Sequence, residues 1–449
     1  MVEFSFLFLL FIYMYFGYNK INQILFVCIW IILLLLILIY YNLVIFHSYY
    51  ILVTTWKYFF ILFIIYLTII ILNIKPIKRW DVIFLYLIVS ISAISLIISH
   101  NLLFIFLSLE LQTFSLLILI SYEKNQIKSL ESGLKYFILG ALSSGLYLLG
   151  VVFLFKYNLS VNIDFLNYII CDNKSIIKLS YLLIILSLFF KLALFPFHFW
   201  ISDIFEGSNS SVMCLIATIP KLSVLVIIVQ LINFDYFIII SGTFSIIIGT
   251  LGAYNQTKLK RLIAYSGISH LGFILIGVSL CNQWGNEIAF LYLIIYILCV
   301  LPLCILIIIT YFSKDYYIIE LSGLYNDSKL VSWLWAIIFF SIAGIPPLIG
   351  FLSKWLLLWV LFSYNYVYLS LIGIIFSILG VGYYLRIIKL IYFEKITDYL
   401  NWEVILKDNK FNSKLNYYVL SFLIYFHIFN LFNPIPMICI ISLFLSNFF

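Results

Sequence analysis

An all-α, polytopic membrane fold of about fourteen transmembrane helices is predicted here by three observations. First, 65% of the 449 residues are hydrophobic and only 10% are charged, too little polar surface to cover a soluble globule of this size. Second, the apolar residues fall into runs of about 20, the length that crosses a bilayer as a helix. The runs are too long, and their alternation too weak, for a lipid-embedded barrel. Third, Glu110, Lys191, Lys221 and Lys354 each interrupt such a run. Four charges facing lipid would cost on the order of 10 kcal/mol together, so they must line protein or water.

Taken in order, the spans run near residues 4–17, 21–45, 50–73, 81–99, 101–121, 132–157 and 176–199, then 210–233, 236–254, 259–280, 286–312, 329–361, 366–393 and 415–447. The stretch from Met1 to Gly17 is apolar and acidic with no small-residue cleavage site after it, and reads as a span rather than a signal. The lack of an Arg-rich presequence, with heavy use of Ile, Phe, Tyr, Leu and Asn, suggests synthesis in an AT-rich organelle or a bacterium. In the sixth span, Gly133, Gly140, Gly145 and Gly150 form a small-residue stripe that permits close helix packing.

The seventh and twelfth spans carry helix-breaking prolines beside charges: Pro196 after Lys191, and Pro346 and Pro347 between Gly344 and Lys354. Proline removes a backbone donor and frees carbonyls to solvate ions or water. Broken helices at corresponding places in two repeats point to a transport site. Spacing by five spans divides the chain into helices 1–3 (1–80), a first five-helix repeat (81–233), an inverted second repeat (236–393), and a loop with the last helix (394–449).

Lys and Arg concentrate in the connections after odd-numbered spans, including Lys75, Lys78 and Arg79, Lys124 and Lys128, and Lys258, Lys260 and Arg261. By the positive-inside rule these loops face the matrix or cytoplasm, and both termini lie opposite. Because the +7 net charge is scattered among short loops, it forms no patch for nucleic acid.

Glu110 sits midway along the fifth span. One reading is a packing carboxylate; the other is an acid tuned by a movable cation, for which Lys191 is the best partner. Lys191 could instead snorkel to an interface. Lys221, after Pro220, and Lys354 are candidate proton carriers, since burial favours a neutral lysine. Lys135, near the start of its span, fits either the axis or an interface. His198 and His270 have polar neighbours and suit a proton relay. His47 and His427 look interfacial, and His100 ends a span. The seven cysteines suggest no disulfide or metal framework, and no ligand set for flavin, haem or an iron–sulfur cluster is evident. No phosphate loop, zinc motif or Cys-x-x-Cys pair occurs, and Gly380-Val381-Gly382 lacks a dinucleotide-binding context. Moving a proton against 100 mV costs about 2.3 kcal/mol, so pumping would draw on another subunit.

Several stretches together resemble the antiporter-like membrane subunits of NADH:ubiquinone oxidoreductase, respiratory complex I. They are Lys135 to Ala141, Lys191 to Trp200 continuing through Asp203, Glu206 and Gly207, Lys260 to Ser266, Ala343 to Pro347, and Tyr383 to Lys389. The stretch from Pro196 to Trp200 looks more like the chain 2 group than its paralogues, chains 4 and 5. Ser202 departs from the proline usual before the Asp203 position.

The resemblance implies fourteen spans, inverted five-helix repeats and discontinuous seventh and twelfth helices. It implies that Glu110 and Lys191 form a modulating pair, Lys221 the central carrier and Lys354 the other half-channel, with His198 and Lys135 as further polar positions. NADH, FMN, iron–sulfur clusters and ubiquinone would be bound by partner subunits, and the neighbours would be other antiporter-like and small membrane chains in lipid. The membrane would be the mitochondrial inner membrane, or alternatively a bacterial plasma membrane. A subunit of a multisubunit cation/proton antiporter would use a similar axis, and a scaffold whose charges only fix packing is a third reading.

Overall fold

The computed structural model describes residues 55–74, 79–158, 162–163, 175–231, 236–310, 316–346 and 348–394, with isolated positions from 420 to 442. The first two expected spans, most of the fourteenth, and Pro347 lie outside the described residues. Among the described residues the regular structure is helical, and nine helices are long and apolar enough to cross a membrane. The chain is a multi-pass membrane protein.

The helices are α1 (Thr55–Ile74), α2 (Trp80–Ile98), α3 (Leu102–Ile120), α4 (Ile127–Asn158), α5 (Ser175–Leu192), α6 (Phe199–Gly207), α7 (Ser210–Leu231), α8 (Tyr236–Tyr254), α9 (Leu259–Ser279), α10 (Gln283–Ile309), α11 (Leu324–Asp327), α12 (Lys329–Ala343), α13 (Ile349–Ser363) and α14 (Val367–Phe393). Their centre is formed by α7, α9 and α10, which are buried almost throughout, whereas α4 and α14 keep one face outward. A helix apolar all round belongs in such an interior.

Close packing of α8 on α9 rests on missing side chains. A Cβ on Gly249 would come within 2.6 Å of the Ser269 amide nitrogen. The stripe expected in α4 is only half used this way. Gly133 and Gly150 abut Ser121 and the Ser180–Ile184 turn, while Gly140 and Gly145 face open space.

The charged loops gather at one end of the bundle. Arg79 donates to the Tyr122 hydroxyl at 3.1 Å, the Leu259 amide bonds the Tyr316 carbonyl at 2.9 Å, and Lys128 reaches Glu206 at 3.4 Å. At the other end the Asn101 amide donates to Asn162 at 3.3 Å, joining the connections after the fourth and sixth spans. The loops after the third, fifth, ninth and eleventh spans therefore share one end, as their charge predicts.

Both expected helix breaks are present: one between α5 and α6, the other between α12 and α13. They end alike. At the first, Ala193 is left-handed at φ 59°, its amide bonds Phe190, and the Leu194 amide reaches back to Phe189. At the second, Gly344 is left-handed at φ 79°, its amide bonds Ser341, and the Ile345 amide reaches back to Phe340. Each is a Schellman termination, which halts a helix and leaves the last carbonyls unclaimed by it. Ser202, where a proline was expected, sits within the first turns of α6 and donates to the Phe199 carbonyl at 3.3 Å.

Candidate functional site: a buried row of lysines, tyrosines and histidine

Lys221 is fully buried on α7, one residue after Pro220. Its ammonium donates to the Tyr296 hydroxyl of α10 at 3.0 Å and lies 4.9 Å from the centre of that ring. A buried cation needs such partners, and the tyrosine offers both an oxygen and a π face. Gly267 of α9 makes the space: a Cβ there would come within 2.8 Å of the Tyr296 oxygen and 3.3 Å of the Lys221 nitrogen.

One turn further along α9, His270 continues the row. Its Nδ1 lies 2.9 Å from the Tyr292 hydroxyl, its ring is 5.5 Å from that of Tyr296, and both Lys221 and Lys354 act on it electrostatically. Tyr383 and Tyr384 of α14, both buried and with their rings 4.4 Å apart, lie beside Ser269 and Ser266 of α9 and close the same region. Tyr292 and Tyr296 are four apart and so share a face of α10.

Lys354 of α13 terminates the row at the second break. It donates to the Ala343 carbonyl at 2.7 Å, the last residue of α12. A carbonyl released by helix termination thus holds a cation, as the proline pattern predicts. The left-handed Gly344 leaves room, since a Cβ would meet the Lys354 side chain at 2.8 Å.

Lys191, at the first break, has different surroundings. It is buried below the Phe190 ring at 5.7 Å and its nitrogen has no hydrogen-bond partner among the described residues. Glu110 on α3 acts on it electrostatically without contact. Glu110 is half-buried and its side chain is met by the Thr113 hydroxyl at 3.4 Å. Tyr136, Phe190 and Trp200 pack as an aromatic group beside this pair, and the Trp200 indole takes the Phe190 carbonyl at 3.0 Å. His198 is buried ahead of α6, against the Phe195 and Phe199 rings.

Lys135 is not in the buried row. It pairs with Asp203 at 2.6 Å and Glu131 at 2.7 Å, with its side chain 42% exposed. There it joins an ion cluster at the charged end of the bundle, in which Arg261 binds Asp203 at 3.0 Å and also Glu206, and Lys258 binds Glu206 at 2.6 Å. Lys260 donates nearby to the Ser208 carbonyl at 2.6 Å. A lysine one turn into a span reaches the interface, where water lowers the cost of its charge.

The expected interfacial place of His427 is also corrected. It is fully buried, with Nε2 3.1 Å from the Leu298 carbonyl and Nδ1 3.9 Å from the Cys299 sulfur. Pro302 explains this: it lacks the amide that would bond Leu298 four residues earlier, so a buried carbonyl is free for a side-chain donor. Sequence reasoning missed Tyr292, Tyr296 and Cys299, although their spacing of four and three residues marks a polar stripe in an otherwise apolar helix.

Three comparisons place this geometry among known proteins. Residues 99–380 match the family described as NADH:quinone oxidoreductase/Mrp antiporter, transmembrane. The chain is 35% identical over 326 residues to NADH-ubiquinone oxidoreductase chain 2 of Metridium senile, covering 68% of this chain and 83% of that one. It is 34% identical over 289 residues to NADH-quinone oxidoreductase subunit N of Pelagibacter ubique, covering 62% and 61%. With such bacterial relatives it therefore aligns over about three fifths of their length.

The fold is similar to that of a chain in respiratory complex I from Thermus thermophilus, with a TM-score of 0.75, 22% identity and 85% of each chain covered. It is also similar to a chain of the Mrp complex from Dietzia, with a TM-score of 0.69, 19% identity, and 77% of this chain and 68% of that one covered. A bundle with two interrupted helices, a buried lysine row and these relatives assign the chain: it belongs to the NADH:quinone oxidoreductase/Mrp antiporter transmembrane family.

Proposed function

We propose that this chain is a proton-translocating, antiporter-like membrane subunit of an NADH:quinone oxidoreductase. The observation that carries the reading is the Lys221–Tyr296–His270–Lys354 row, four side chains that can carry or pass a proton, the first three buried in an apolar bundle and Lys354 half-buried at its end. A buried charge persists only where partners hold it, and moving a partner shifts the balance between its charged and neutral forms. The names of the relatives supply the coupling reaction: oxidation of NADH and reduction of quinone in other subunits.

In this reading Glu110 and Lys191 form the modulating pair. When they approach, the carboxylate offsets the Lys191 charge and Lys221 can take up a proton; when they part, the uncompensated Lys191 cation repels that proton toward His270 and Lys354. His198 adds a polar group beside the first break. NADH, FMN, the iron–sulfur clusters and ubiquinone are assigned to partner subunits, and the neighbours to other antiporter-like and small membrane chains. The membrane assigned is the mitochondrial inner membrane, on the amino-acid bias; bacterial relatives keep a plasma membrane as the alternative. The matched terminations at Ala193 and Gly344 support two corresponding units at 81–233 and 236–393.

Lys221→Met tests the reading, because it keeps side-chain volume and deletes the amine. In the assembled complex, proton translocation per electron pair is expected to fall while NADH-driven quinone reduction persists. Normal assembly with unchanged yield would remove Lys221 as an obligatory carrier. The second reading, a cation/proton antiporter subunit, is favoured by the shared family and predicts cation-dependent proton exchange without NADH.

A further inference from the structure

We propose that the buried row continues past Lys354 to His427 in the C-terminal segment, with Cys299 and Ser341 between them, and that His427 is a terminal proton-holding station. The inference rests on the proton-translocating reading above. Three features of the geometry support it.

The first is the tautomer. The Leu298 carbonyl freed by Pro302 can only accept, so the His427 Nε2 that approaches it at 3.1 Å carries the hydrogen. Nδ1 of the neutral ring is therefore an open acceptor. It points at Cys299.

The second is the link back to the row. Cys299 lies 3.7 Å from the Ser341 hydroxyl, which itself donates to Ile338 at 2.7 Å. The serine is thus an acceptor for the thiol, two residues before the Ala343 carbonyl that holds Lys354. Lys354 acts electrostatically on Cys299. On α10, Cys299 follows Tyr292 and Tyr296 at seven and three residues, so one helix face carries the whole polar series.

The third is that imidazole exceeds what a helix latch needs. Supplying a donor to one carbonyl takes an amide or a hydroxyl; only histidine also offers a second nitrogen that accepts a proton. The transfer balances when the two relays turn: Cys299 gives its thiol hydrogen to His427 Nδ1, Ser341 swings its own from the Ile338 carbonyl to the cysteine sulfur, and Lys354 restores the serine, becoming the neutral amine as His427 becomes imidazolium. Both ring N–H groups of that cation have partners, the Leu298 carbonyl and the Cys299 sulfur.

The test uses the assembled complex in sealed vesicles, with quinone reduction and proton yield per electron pair read together. His427→Gln retains an N–H donor for the Leu298 carbonyl but cannot carry a proton at neutral pH. Its yield is expected to fall to that of Lys221→Met, with quinone reduction retained. A normal yield in His427→Gln beside a reduced yield in Lys221→Met would overturn the inference and leave His427 a latch. Normal yields in both would overturn the parent reading as well. Should His427→Gln fail to assemble, Cys299→Val decides, since it leaves the latch intact: a reduced yield supports the route and an unchanged yield overturns it.

Discussion

An unpartnered amine inside an apolar bundle favours its neutral form, and in the proposed function the Tyr296 hydroxyl, 3.0 Å away, is the partner that would stabilise the charged form of Lys221. A hydrogen bond to a charged group contributes about 1.5–3 kcal/mol, which is roughly a ten- to hundredfold change in the charged population. Tyr296→Phe deletes the oxygen while keeping the ring. Proton yield per electron pair is expected to drop with assembly unchanged, as measured in vesicles against the parent enzyme; an unaltered yield would show that the hydroxyl is dispensable. Why Lys221 could be picked out from sequence and Tyr296 could not is itself physical. A lysine in a span is conspicuous by its cost, whereas tyrosine is tolerated in many roles and is one of 35 here. Lys135 shows the converse: a cation near the start of a span fits an axis or an interface equally from sequence, and only the fold brings it to Glu131 and Asp203 at the charged end.

Among the elements, the two interrupted helices were legible because proline and glycine act locally, removing a donor or permitting a left-handed turn whatever surrounds them. The detail that Ala193 takes the left-handed place at the first break was not legible, since alanine there is imposed by packing against its own preference. The partner of Leu298 was hidden for another reason: His427 lies 129 residues away, and only the fold joins them. At the second break, Gly344→Ala is expected to cost about 1–2 kcal/mol in backbone strain and to push Lys354 from the Ala343 carbonyl. Ala193→Gly removes the same kind of strain and should stabilise by about 1 kcal/mol. Thermal inactivation of the assembled complex measures both, and equal behaviour of the two variants would refute the argument.

For the whole molecule, the charge pattern predicts that the end carrying Arg79, Tyr122, Glu206 and Lys258 faces the matrix or cytoplasm. Lys124, exposed at that end, gives the check: Lys124→Cys should resist a membrane-impermeant thiol reagent applied from the opposite side of sealed membranes, and ready labelling there would reverse the orientation. The cluster around Glu206 also bears on how the chain is made. Lys128 leaves the ribosome before Glu206, whereas Lys258 and Arg261 follow it, so the cations that Glu206 binds arrive on separate hairpins at different times. Only afterwards does the carboxylate gather them. A hairpin of α8 and α9 inserted upside down would strand Lys258 and Arg261 on the far side of the bilayer and leave Glu206 short of two of its three cations. The same charges that direct insertion thereby proofread it, because the bundle can close around Glu206 only when every contributing segment has arrived the right way up.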